Sequence, residues 1–233
     1  MAVQYAFGQI VTNGLVLALD AADRNSYVSG SATWRDLSGN NNSGSLVNGP
    51  TFSSANGGSI VFDGSNDYVN LGNNTVAPTT DYSYSCWFKT STVTGSILFG
   101  ADNCGDSGGN YAFISAAGNV SFRVIGGISL IITSSLQSND NVWHNLTCIK
   151  TSTTMYLYVD GNLANTGLTP SSGITNTTYV RYIGIRGGTL SNPSSCGGDY
   201  YSGSVASVVM YNRALSAAEV LQNYNAQKAR FGL

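Results

Sequence analysis

The chain has 233 residues, a length that one large β-sandwich or two small domains would fill. Charged residues make up only 9%, against about 25% in an average domain, so Ser, Thr, Asn, Gly and Tyr must cover the surface. The net charge is −2, the ten basic residues form no run, and no apolar stretch is long enough to span a bilayer, which argues against a nucleic-acid or membrane partner.

The N-terminal MAVQYAFGQIVTNG has no basic residue ahead of its apolar part and reads poorly as a signal peptide. It is taken as a segment over 1–13, ahead of one domain over 14–233. Leu15 to Asp20 is the first predicted strand, with Leu15, Leu17 and Leu19 on one face. Ala21 to Trp34 is turn-rich, and Asp36 to Asn42 is a polar loop of residues that tolerate positive φ. Short strands at Ser59 to Phe62 and Tyr68 to Leu71 flank the turn dipeptide Asp63-Gly64. Tyr82 to Lys89 alternates cleanly, with Tyr82, Tyr84, Cys86 and Phe88 on one side. Ser96 to Phe99 leads into the longest loop candidate, Gly100 to Asn110. Tyr111 to Ser115, Val120 to Val124 and Ser129 to Thr133 follow.

Asn141 to Ala164 reads as the central meander. Trp143 to Lys150 and Met155 to Val159 are strands, and Asp160-Gly161 is a tight turn into a third. Tyr156 and Tyr158 fall on one face, opposite Met155, Leu157 and Val159. Thr178 to Ile185 and Ser204 to Tyr211 complete the strands. About a dozen strands at short spacing indicate an all-β, two-sheet antiparallel sandwich. One helix is expected after them. Ser216 and Glu219 form a capping box, Leu215 and Val220 a hydrophobic staple, and Ala217, Val220, Leu221 and Tyr224 line one face.

Cys86 and Cys148 fall inside predicted strands, whereas Cys104 and Cys196 fall in glycine-rich loops. Two readings stay open: four free thiols, or a Cys104–Cys196 bridge between the loops. Hydrolysis of a glycosidic bond needs two carboxyls flanking it. The one glutamate, Glu219, caps the helix, and the aspartates fall mostly in turns, so a glycoside hydrolase is disfavoured. His144 stands without a flanking nucleophile motif and reads as a ring held by hydrogen bonds at a sheet edge. The tyrosines are more suggestive. Tyr111, Tyr200 and Tyr201 border the two cysteine-bearing loops, where aromatic faces can stack on sugars and Asn or Asp can bind hydroxyls.

The stretches GLVLALDAAD, TWRDLSGNNNSGSLVNGPTF, IVFDGSNDYV, SCWFK, VWHNLTCIK, LYVDGNL and MYNRALSAAEVLQNYNAQKARFGL, in this order, resemble a concanavalin-A-like jelly roll of the laminin-G-like type. The resemblance covers almost the whole chain. Its closing stretch is similar to that of tailed-bacteriophage proteins, notably those of marine cyanobacteria. The chain departs from the family at Asn145, where a second histidine is common, and at Ala206, where an acidic residue is common. The resemblance implies a jelly roll with a binding edge at the sandwich rim, where relatives often hold calcium. Asp102, Asn103, Asp106 and Asp199 would supply oxygen ligands. The expected site joins Asp102, Asn103, Asp106, Tyr111, Asp199 and Tyr200, with Asp102, Asp106 and Asp199 as the metal set. The implied role is a non-catalytic module displayed on a virion surface, with glycans or other virion subunits as partners. A purely structural decoration or fibre subunit is the alternative, and low charge with exposed strand edges would suit packing between copies.

Overall fold

A computed structural model describes residues 9–72, 81–92, 97–102 (backbone course only), 109–126, 128–170, 181–186 and 199–233. Strands appear where branched and aromatic residues alternate with Ser, Thr and Asn, and glycine or asparagine ends each run. The first half of the chain gives β1 (Leu15–Asp20), β2 (Thr33–Trp34), β3 (Gly44–Val47), β4 (Thr51–Ser53), β5 (Ser59–Asp63), β6 (Tyr68–Asn70), β7 (Tyr82–Lys89) and β8 (Ile97–Asp102). The second half gives β9 (Gly109–Ile114), β10 (Asn119–Gly126), β11 (Ile128–Gln137), β12 (His144–Lys150), β13 (Thr154–Val159), β14 (Asn162–Leu168), β15 (Tyr182–Ile183) and β16 (Ser202–Tyr211). One helix, α1 (Ala217–Gln227), ends in a 3-10 turn over Lys228–Phe231. No helix among the described residues is long and apolar enough to cross a membrane.

The strands form two antiparallel sheets. The first runs β14-β13-β12-β7-β16-β5-β4, with β1 added against β16, and the second runs β11-β10-β9-β8-β15-β6-β3-β2. The two-sheet sandwich read from the sequence is the fold observed. Between the sheets lies one large core, which includes Trp34, Phe62, Tyr82, Tyr84, Cys86, Phe88, Phe122, Leu146, Met155, Leu157 and Val208. Tyr82, Tyr84, Cys86 and Phe88 all enter it, as their alternation requires. Cys86 and Cys148 are free and buried there. At the flank the two sheets are joined by Asn165, whose Nδ2 donates to the Thr133 carbonyl at 2.8 Å, linking edge strand β14 to edge strand β11.

Three expectations need correction. Leu17 and Leu19 enter the core, but the register shifts between Leu15 and Leu17, and Leu15 joins the cluster on the outer face. A bulge turns the strand, which strict alternation cannot anticipate. The stretch Gly100 to Asn110 is not all loop, because Gly100–Asp102 pairs with Gly109–Tyr111 in the β8–β9 ladder. Gly100 and Gly109 hide the strand from a propensity reading. On α1 the buried residues are Val220, Asn223, Ala226 and Gln227, whereas Ala217 and Leu221 are exposed.

The helix turns a polar side inward because the surface beneath it is polar. Ser207 on β16 donates to Gln227 Oε1 at 2.9 Å. Asn223 accepts from the Val11 amide at 2.8 Å and donates to the Tyr211 hydroxyl at 3.0 Å, which in turn donates to the Val11 carbonyl at 2.9 Å. These bonds tie Ile10 and Val11, both buried, to the end of the chain. Beside them Trp87 stacks on Phe231, centroids 4.2 Å apart, and on Tyr224 at 5.5 Å. The capping box is present in full: Glu219 N–H donates to the Ser216 hydroxyl and Ser216 N–H to the Glu219 carboxylate. Leu215 and Val220 share one buried cluster, as a hydrophobic staple requires. Asp160 (φ 52°) and Gly161 (φ 75°) both adopt positive φ, which is the two-residue turn expected between β13 and β14.

Candidate ligand-binding face

Strands β9 and β10 read NYAFI and NVSFRVIG at their centres, and alternation splits them cleanly. Ala112, Ile114, Val120, Phe122 and Val124 enter the core. Tyr111, Phe113, Arg123 and Ile125 therefore stand on the outer face of the second sheet. The ladder places Ile131, Arg123, Tyr111, Gly100, Tyr182, Asn70, Ser45 and Thr33 directly opposite one another, one per strand across all eight strands. Gly100 contributes no side chain to this row, between Tyr111 and Tyr182.

Arg123 is the charged centre of the row. Its Nη1 donates to the Tyr111 hydroxyl and its Nε to Ser129 Oγ, each at 2.6 Å. Its guanidinium carbon lies 5.6 Å from the Tyr111 ring centroid, and that of Arg186 lies 5.3 Å from the same ring. Two cations at one ring draw on its negative face. Arg123 is partly exposed and has no carboxylate partner among the described residues. Phe113 packs at 5.6 Å from Tyr111, and Ile131 is 49% exposed at the end of the row.

A second aromatic group continues the face. Tyr68 and Tyr182 meet edge to face at 5.6 Å, and Tyr200 packs with them through its bridge to Ile185. Burial, then the neighbouring Tyr68, pushes the Tyr182 phenol up to about 12. It therefore stays protonated, fully buried within the sheet.

Of the expected site residues, Tyr111 lies in a cluster with Ile125 and Phe113, Tyr200 lies in a separate one with Tyr68, Tyr182 and Ile185, and Asp199 is exposed next to Tyr200. Asp102 ends β8 opposite Gly109. Asn103, Cys104, Asp106 and Cys196 lie outside the described residues, as do the proposed bridge and the full metal set. Among the described residues no cluster of His, Cys, Asp or Glu is arranged to hold a metal. Sequence reasoning missed Arg123, Arg186 and Phe113. The signal for Arg123 was present: a lone arginine at an outward position of an apolar strand.

Glu219, Asp36, Asp20, Asp160 and Asp140 are held by partners within the fold. Arg213 donates to Glu219 at 2.5 and 3.0 Å and, with the Ser216 bonds, holds its carboxyl at about 2. Asp36 accepts from the amides of Ala18, Ser38 and Asn42. Asp20 is buried against Arg230 at 2.7 Å. His144 stands between Asp160 (Nδ1, 2.8 Å) and Asp140 (Nε2, 3.1 Å). It begins β12, an interior strand between β13 and β7, and not a sheet edge as expected. Asp160 also accepts the Asn145 amide at 2.8 Å, so the arrangement clamps the β13–β14 turn onto β12.

The family described as Laminin_G_3, concanavalin A-like lectin/glucanases superfamily, matches residues 63–221, more than half of the chain. Among solved structures the chain is similar to domain 4 of AbnA, a GH43 extracellular arabinanase from Geobacillus stearothermophilus, in complex with arabinotriose. The TM-score is 0.68 at 15% identity, covering 90% of this chain and 98% of that one. It is similar to the binding domain of Paraclostridial Mosquitocidal Protein 1, at TM-score 0.67 and 18% identity over 92% of this chain and 52% of that one. The binding domain of botulinum neurotoxin DC in complex with SialylT gives 0.69 at 14% identity, over 93% and 52%. The chain thus spans about half the length of the toxin binding domains, and these likenesses establish the fold. No curated protein matches the chain by sequence.

Proposed function

The chain belongs to the concanavalin A-like lectin/glucanases superfamily, and from that premise we propose that it is a non-catalytic module that binds glycans on the outer face of its second sheet. The observation that carries this reading is the Arg123–Tyr111 pair set in the cross-sheet row. Tyr111 is only 3% exposed, so its ring backs Arg123 from within the sheet, and what the face offers a sugar is a partly exposed cation without a carboxylate partner among the described residues, whose donors can bond hydroxyls. The likeness to AbnA domain 4 supports it, because that whole chain is matched and its structure holds arabinotriose.

The finer reading is display on a virion surface, with other virion subunits as further partners. Its support is the resemblance of Met210 to Leu233 to tailed-bacteriophage proteins. Calcium held by Asp102, Asp106 and Asp199, with a Cys104–Cys196 bridge beside it, remains part of the proposal and rests on the loop sequences. A second reading, a structural subunit without a glycan ligand, is favoured by one observation: Ile128, Ile131, Leu136, Leu163 and Leu168 are exposed on the adjoining edge strands β11 and β14. A glycan array on the purified protein, with and without calcium, separates the two. Binding to no glycan, together with self-association, would favour the structural subunit.

A further inference from the structure

On the first sheet, far in sequence from the Arg123 row, β13 places Tyr156 and Tyr158 two residues apart on the outer face. The chain re-enters beside them at Ala214 to Ala217, where it begins α1. Between the two lies a groove of about 270 Å³. Tyr156 and Tyr158 form one wall, Ile149 and Leu215 give it an apolar floor, and Thr151 and Ala217 border it. The two phenols are neighbours: burial, then the Tyr156 phenol, pushes Tyr158 above its ordinary value. Neither phenol makes a hydrogen bond to another described group, whereas the buried Tyr201 and Tyr211 hydroxyls both find carbonyl acceptors. The Ala217 amide is one of the first-turn donors that no helical carbonyl can reach.

We propose that this groove is a second ligand site, one that takes a single neutral sugar ring. No charged side chain lines it, so a carboxylate, a phosphate or an ammonium group finds no ion pair there. Two tyrosines and a short apolar floor match a ring with one C–H face and a hydroxylated edge. The volume falls just below the range of about 300–1,000 Å³ usual for drug-sized ligands, so it fits one ring and not an extended chain. The site is independent of the Arg123 face, and each can fail without the other.

The test is a titration followed by amide chemical shifts, using methyl glycosides of glucose, galactose and arabinose, with N-acetylneuraminic acid and glycerol as controls. A neutral glycoside should give saturable shifts at Ile149, Tyr156 and Ala217, with a dissociation constant on the order of 1 mM. Tyr156→Phe keeps the ring and should weaken binding roughly fivefold. Tyr156→Ala should weaken it by more than about tenfold, and Arg123→Ala should leave it unchanged. Each variant's melting temperature shows whether it is folded. No saturable shift with any of the neutral glycosides would overturn the proposal. So would equal shifts with glycerol or N-acetylneuraminic acid, or shifts that follow protein concentration alone, since a second copy would then occupy the groove.

Discussion

The guanidinium of Arg123 bonds the hydroxyl of Tyr111 at 2.6 Å while lying 5.6 Å from the centroid of the same ring. One strand pairing, Arg123 opposite Tyr111 in the β9–β10 ladder, produces both contacts. The pair is thus fixed by register: the buried Tyr111 ring holds the partly exposed guanidinium in one position, and on the proposed reading a ligand would meet a preset cation, with less entropy lost on binding.

The clamp on His144 predicts a pH dependence of stability. Burial alone would lower the imidazole, but Asp160 and then Asp140 outweigh it and hold His144 above its ordinary 6.5. Burial also opposes ionisation of Asp140, yet the Val142 amide and His144 hold it below its ordinary 3.8. A raised histidine stabilises in full below about pH 6.5 and loses that contribution as pH rises through its folded value. A depressed aspartate contributes above about pH 3.8 and loses it as pH falls through its folded value. The melting-temperature difference between the parent and His144→Gln should therefore be largest between the ordinary aspartate and histidine values and shrink as pH rises through the raised folded value of His144. A difference that stays constant from acid to alkaline pH would contradict the clamp.

Arg230 and Asp20 form a buried ion pair, with side chains 6% and 4% exposed, that anchors the C-terminal turn to the end of β1. Arg230 also donates to the Asn56 and Gly58 carbonyls. Asp20→Asn should cost about 3–5 kcal/mol in chemical denaturation, because a guanidinium is left buried without its counter-charge. A loss below about 1 kcal/mol would mean that water reaches this pair as it reaches surface pairs.

The capping box of α1 predicts a smaller effect. Ser216→Ala removes the acceptor of the Glu219 amide and should cost about 1 kcal/mol. Deleting residues 214–233 should cost far more, because it uncovers Ala18, Val209 and Tyr211 on the first sheet. Thermal melts of both variants check the order, and a truncation that melts like the full chain would refute the packing described.

Burial pushes both the Cys86 and the Cys148 thiol up, so neither is a thiolate near neutral pH. Both should resist alkylation in the native protein and react once it is unfolded. Peptide mapping of the same unreduced sample reports whether Cys104 and Cys196 are bridged.

The sandwich was legible because alternation in strands such as Tyr82–Lys89 is long enough to fix a face. Thr33–Trp34, Gly44–Val47 and Thr51–Ser53 were not, being two to four residues long and paired only by their neighbours in the sheet. The proposed binding face was half legible. Tyr111 and Tyr200 stood out beside polar loops, but Arg123 belongs with them only through register, and register is a property of pairing rather than of one strand's sequence. The buried side of α1 escaped for a related reason. Hydrophobicity marked Ala217 and Leu221, whereas the polar surface under the helix selects Asn223 and Gln227.

The most direct test of the central claim is glycan binding by Arg123→Ala measured beside the parent protein, on whichever glycan the array identifies. Arg123 is partly exposed and lies outside the core, so the variant should still melt cooperatively, with its midpoint lowered only by the loss of the bonds to Tyr111 and Ser129. Its affinity should fall by at least about tenfold, the loss of the guanidinium donors from which a ligand hydroxyl would accept. Unchanged affinity in a fully folded variant would contradict the account and move the binding site off this face.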